Sequence, residues 1–147
     1  MLPEGRLLRN TMIFRSQATP TCLKTLREKI AGEYKDQLTA MEFDAFCLAL
    51  CEASSNVIRH AYPADTPGPL EIEIQKDDEA LRVWIRDRGK PFEFSCCKGR
   101  PLQKVNPGGI GIHIIKAFFD KISSSRSKDG WNTLALERTR RTDNGNP

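Results

Sequence analysis

Glu52, Asn56 and His60 stand four residues apart within CEASSNVIRHAYP, residues 51–63. On an α-helix this spacing lines a carboxylate, an amide and an imidazole along one face. A carboxylate there can take a proton from a hydroxyl or orient a water, and an amide oxygen is a hard ligand suited to magnesium. A solvated helix face has the same spacing and no chemistry. In RDRGKPF, residues 86–92, Asp87 ends a strand and Gly89 and Pro91 open a loop. Such a carboxylate can accept a hydrogen bond from the exocyclic amine of a purine, and a glycine two residues on lets the base come close to the backbone. The same residue types also make ordinary turns. In NPGGIGIHII, residues 106–115, Gly108, Gly109 and Gly111 stand immediately before a helix. Exposed N–H groups and the positive end of a helix dipole make a phosphate cradle; a hinge that runs into a helix is the plainer alternative. No lysine follows as in a GxxxxGK[ST] loop, and the parallel βαβ setting of a dinucleotide fold is missing.

The elements that must position these groups follow from periodicity. Leu7 to Phe14 reads as a strand, and Thr19-Pro20 caps a helix in which Leu23, Leu26 and Ile30 recur at helical spacing up to Gly32. From Met41 to His60 a largely apolar stripe of Phe43, Phe46, Cys47, Leu50, Ser54, Val57 and Ile58 predicts the strongest helix, ended by Pro63. LEIEIQ (70–75) and LRVWIRD (81–87) alternate around a DDEA turn and predict an antiparallel hairpin with one buried face. Residues 88–107 lack periodicity, and a loop this long in a compact domain is usually functional. A short helix and two strands about a turn at Asp129-Gly130 complete the chain. The expected fold is α+β: a two-layer sandwich with helices over a mostly antiparallel sheet.

Composition narrows the classes. With 147 residues, 39% hydrophobic and 29% charged, the chain suits one domain with a proper core. We expect a single domain over residues 1–137 and a basic, disordered tail over 138–147. The five cysteines, Cys22, Cys47, Cys51, Cys96 and Cys97, form no CxxC pair and predict neither a disulfide scaffold nor a zinc site. No apolar run approaches the roughly 18 residues of a membrane span, and a cytoplasmic location is expected. The net charge of +4 owes much to Arg138, Arg140 and Arg141, which is weak evidence for nucleic acid.

Taken in order, a helical acid and amide, a strand-end Asp-x-Gly, a long loop and a glycine-rich helix start resemble the GHKL-type (histidine-kinase-like) ATPases. More closely, the chain resembles the bacterial anti-sigma factor serine/threonine kinases. CEASSNVIRHAYP matches the helix motif, IRDRGKPF the first glycine box, GGIGIHIIKAFFD the second and NTLALER the final strand. The resemblance implies a Bergerat-type ATP-binding fold, with ATP and Mg2+ as cofactors. It implies Glu52 as general base, Asn56 as magnesium ligand and Asp87 as adenine reader. Gly89 would give room to the base, and Gly108, Gly109 and Gly111 would border the phosphates beneath a lid over residues 93–107. It further implies a homodimer whose partners are a sigma factor and an anti-sigma antagonist, phosphorylated on serine or threonine, with no direct contact to nucleic acid or membrane. The other expectation is a nucleotide-binding module that regulates a partner by sequestration, without catalysis.

Departures from the pattern are His113, where the family usually has an apolar or aromatic residue, and Cys96-Cys97 in the lid. His60 is expected to brace the helix end near Tyr62 and Pro63 rather than to accept phosphate. Trp84 and Trp131 are expected to pack at the core or the sheet edge. Lys98, Arg100 and Lys104 are expected to be solvated loop charges.

Overall fold

Alternating apolar residues produce five strands whose inner sides match row by row in a computed structural model that describes residues 10–91 and 107–140. The elements are β1 (Asn10–Gln17), α1 (Cys22–Tyr34), α2 (Ala40–Ala61), β2 (Pro69–Lys76), β3 (Ala80–Asp87), α3 (Pro107–Phe118), β4 (Lys121–Arg126) and β5 (Asn132–Thr139). The strand order is β1-β2-β3-β5-β4, with every neighbouring pair antiparallel. The expected two-layer α+β architecture is present.

Register places Met12, Ile74, Val83, Leu136 and Ile122 in one inner row and Phe14, Ile72, Ile85 and Leu134 in the next. Burying each large aliphatic or aromatic side chain there contributes about 1.5–3 kcal/mol. The helices cover this face. Phe46 of α2 meets Tyr34, Phe118 and Phe119 at centroid separations of 6.2, 5.8 and 6.4 Å. The outer face is polar, so no second helical layer is needed: Arg86 contacts Glu71 and Glu73 at 3.1 and 3.0 Å beside Trp84.

Boundaries differ from the sequence expectation where pairing overrides local pattern. β1 runs to Gln17, not Phe14, because Ser16 and Gln17 pair with Leu70 and Pro69. α1 begins at Cys22: Thr19 and Pro20 instead form the turn that leads into it, with the Cys22 N–H donating to the Thr19 carbonyl at 3.0 Å. Thr39 caps α2 by accepting from the Glu42 N–H at 3.1 Å. β5 runs past Glu137 to Thr139, so the expected tail from Arg138 begins too early. Arg138 donates to the Phe118 carbonyl at 2.9 Å and stacks on its ring at 4.4 Å, while the Arg140 N–H donates to the Glu79 carbonyl at 2.8 Å. Both residues belong to the folded unit. Gly130, in the turn where it was expected, has φ of +91°, a conformation open to glycine.

Cys22, Cys47 and Cys51 are free thiols, and burial, reinforced by Cys51 and Asp44, pushes the Cys47 pKa up to about 11. Little thiolate forms there at neutral pH. Among the described residues no helix is long and apolar enough to cross a membrane. The lid over residues 93–107, with Cys96-Cys97 and the Lys98, Arg100 and Lys104 group, lies outside the described residues except for Pro107.

Ser54 carries a fully buried hydroxyl with no hydrogen-bond partner among the described residues. A buried unpaired polar group costs about 1–3 kcal/mol, and alanine is the better helix former. Ser54→Ala should therefore stabilise the fold by about 1 kcal/mol, raising Tm by about 2–4 °C in calorimetry. An unchanged or lower Tm would show that the hydroxyl has a partner.

Candidate functional site

Asp87 and Asn132 interrupt the inner rows of the sheet. The row Leu70, Asp87, Asn132, Arg126 runs across β2, β3, β5 and β4 beyond the last apolar row. Asp87 is 6% exposed, and its Oδ1 accepts from the Gly89 N–H at 2.8 Å and from Asn132 Nδ2 at 2.8 Å. Asn132 Nδ2 also donates to the Gly89 carbonyl at 3.0 Å, and Arg126 Nη1 donates to Asn132 Oδ1 at 2.8 Å. Asp87, Asn132 and Arg126 border a hollow of about 270 Å³, whose α2 side is formed by Asn56, Val57 and Ala61.

The end of α2 is fixed to this strand end by backbone. The Lys90 N–H donates to the Ala61 carbonyl at 2.7 Å, and a Cβ on Gly89 would stand 2.0 Å from that same oxygen. The Tyr62 hydroxyl donates to the Pro69 carbonyl and accepts from the Arg88 N–H, both at 2.7 Å. Tyr62 thus braces the helix end. His60 is exposed in the last turn of α2, and burial, then the charges of Arg59 and Lys90, hold its pKa below the usual imidazole value. Trp131 lies under the Arg88 guanidinium, which stands 5.1 Å from the ring centroid.

Asn56 and Glu52 follow along α2. Asn56 is 3% exposed, and its Oδ1 accepts from Arg59, whose other η nitrogen donates to Ser55 Oγ at 2.8 Å. An amide oxygen has two acceptor sites, so one remains. Glu52, one turn earlier and half-buried, meets α3: a Cβ on Gly111 would lie 2.7 Å from Glu52 Oε2 and 3.9 Å from Asn56 Nδ2. Gly111 therefore brings α3 close enough to touch the carboxylate.

Gly108, Gly109 and Gly111 lie inside α3, not ahead of it. The helix starts at Pro107, whose fixed φ suits the first helical position. Gly108 and Gly109 are in the first turn, where N–H groups have no intrahelical partner. Gly111 follows that turn, so its N–H belongs to the helical ladder. Its role here is close packing against Glu52. Gly111→Ala should push the flexible carboxylate aside and lower any activity depending on it by at least tenfold, while Tm changes little. A large loss of Tm with normal activity would contradict this.

The structure thus gathers Glu52, Asn56, Asp87, Gly89 and Gly111 about the junction of α2, α3 and the β3 end. Sequence reasoning missed Asn132, Arg126 and Arg59. Asn132 had a readable signal: in NTLALER it shares a face with Leu134 and Leu136, the same break in apolar alternation that marks Asp87.

This arrangement agrees with a match to the histidine kinase-like ATPase domain over residues 16–137. The chain belongs to the histidine kinase-like ATPase domain family. Among relatives in this family, a serine/threonine-protein kinase, BtrW, from Bordetella bronchiseptica is 30% identical over 97 residues, covering 62% of this chain and 68% of the relative. A serine-protein kinase, RsbW, from Bacillus mycoides is 26% identical over 111 residues, covering 68% of each. A crystal structure of the RsbU and RsbW domains of a Mycobacterium tuberculosis protein superposes with a TM-score of 0.63 over 90% of this chain, at 17% identity. That likeness shows the histidine kinase-like fold, and this chain spans 33% of the Mycobacterium chain.

Proposed function

We propose that this chain is an ATP-binding anti-sigma regulatory factor that phosphorylates a serine or threonine of an anti-sigma antagonist. The observation that carries this reading is the Glu52 carboxylate held against Gly111 one helical turn from Asn56, beside the hollow bordered by Asp87. A purely sequestering nucleotide binder needs Asn56 and Asp87 but has no use for that carboxylate. The serine-kinase names of the BtrW and RsbW relatives support the same reading.

The residues have separable tasks. Asp87 would accept the exocyclic amine of adenine, and Gly89 keeps the backbone clear beside it. Free N–H groups of Gly108 and Gly109, at the positive end of α3, would meet phosphate oxygens. Glu52 would take the proton of the incoming hydroxyl as the new bond forms.

Among the described residues no group of three or more His, Cys, Asp or Glu makes a metal cage. The donor set fits magnesium held largely by phosphates, which needs only one or two protein oxygens, and Asn56 Oδ1 would be the first. Bound there, magnesium supplies charge neutralisation at the phosphates. We place the protein in the cytoplasm with a sigma factor as its second partner and a homodimer as its working form. Incubation with γ-labelled ATP, magnesium and the cognate antagonist should move label onto a serine or threonine of the antagonist. Bound nucleotide with no transfer would overturn the kinase reading.

A further inference from the structure

The polar row at the end of the sheet contains a residue with no assigned task. Asn132 lies directly across from Asp87 on β3 and from Arg126 on β4. Its amide is fully committed: Nδ2 donates to Asp87 Oδ1 at 2.8 Å and to the Gly89 carbonyl at 3.0 Å, and Oδ1 accepts from Arg126 Nη1 at 2.8 Å. The amide orientation follows from these partners, because exchanging N and O would face an acceptor with an acceptor and a donor with a donor. Asp87 Oδ1 is thereby saturated by Asn132 and the Gly89 N–H, whereas no described side chain partners Oδ2.

We propose that Asn132 is a positioning residue for base recognition, fixing Asp87 so that one carboxylate oxygen is left to accept the exocyclic amine of adenine. This rests on the reading of Asp87 as the adenine contact. The same amide ties down the Gly89 carbonyl, so the acceptor and the backbone bordering the base keep one relative placement. Arg126 acts a step further out by holding the Asn132 oxygen. Without Asn132, Asp87 retains only the Gly89 N–H and its carboxylate can rotate.

The test is a ratio of affinities. Titration calorimetry in magnesium compares ADP with purine riboside 5′-diphosphate, which lacks only the exocyclic amine. The wild type should favour ADP by at least tenfold. Asn132→Asp, of the same shape but without the donors, and Asn132→Leu, of similar volume and without polar atoms, should each reduce that preference at least tenfold through weaker ADP binding. A structural role alone would weaken both nucleotides in parallel and keep the ratio, and a retained ratio in either folded variant overturns the inference. If the aspartate variant does not fold, the leucine variant decides. A wild type with no preference for ADP removes the adenine reading of Asp87, and this inference with it. A preferring wild type with unchanged variants removes this inference alone.

Discussion

Glu52→Gln should reduce phosphoryl transfer to the antagonist by about 10²- to 10⁴-fold, the usual contribution of general-base catalysis, while nucleotide affinity stays essentially unchanged. Glutamine keeps the volume that Gly111 accommodates and can still contact α3, so packing is preserved and the loss falls on proton removal. The kinetic signature is specific: kcat and kcat/KM fall together, because the contact is made only as the hydroxyl loses its proton. Single-turnover transfer from ATP, read beside ADP titration, separates the outcomes. Full activity in the variant would remove Glu52 from the chemistry and leave its contact with Gly111 a matter of packing.

The second large effect is expected at Gly89. Alanine would place its Cβ 2.0 Å from the Ala61 carbonyl oxygen, an atom that already accepts the Lys90 N–H. Backbone cannot rotate away as a side chain can, and Ala61 closes the helix that carries Asn56 and Glu52. The variant should lose about 3 kcal/mol, the upper end for overpacked sites, measurable as a lower midpoint in urea. Nucleotide binding should fail as well, since separating Gly89 from Ala61 moves the Asp87 side of the hollow away from the Asn56 side. A stable variant with normal affinity would mean that the loop after β3 relaxes without disturbing α2.

Much of this fold was legible because its inner face is written in period two. LEIEIQ, LRVWIRD and NTLALER each place aliphatic residues on one side, and the rows in the sheet are those residues. The α2 stripe was equally plain. Strand order was not, since nothing local tells β5 to pair between β3 and β4. The helical state of Gly108 and Gly109 was hidden by their poor helix propensity, which Pro107 and packing against α2 outweigh.

At the site, Glu52 and Asn56 could be singled out because they share one helix face at four-residue spacing, and Asp87 because it ends a strand two residues before Gly89. What spacing could not reveal was who holds them. Tyr62 bonded to Pro69 and Arg88, and Asp87 bonded to Asn132, depend on contacts between separate elements, whereas Arg59 holds Asn56 from three residues on in the same helix. Asn132 and Asp87 are 45 residues apart and meet only through strand pairing.

The most direct measurement is thermal unfolding with and without Mg-ADP, for the wild type and for Asn56→Ala. A ligand at about 100 times its dissociation constant adds roughly 2.7 kcal/mol to the folded state. A shift of that order is expected in the wild type, and its loss in the variant. No shift in the wild type under saturating Mg-ADP, or the same shift in both, would contradict a nucleotide site built on Asn56.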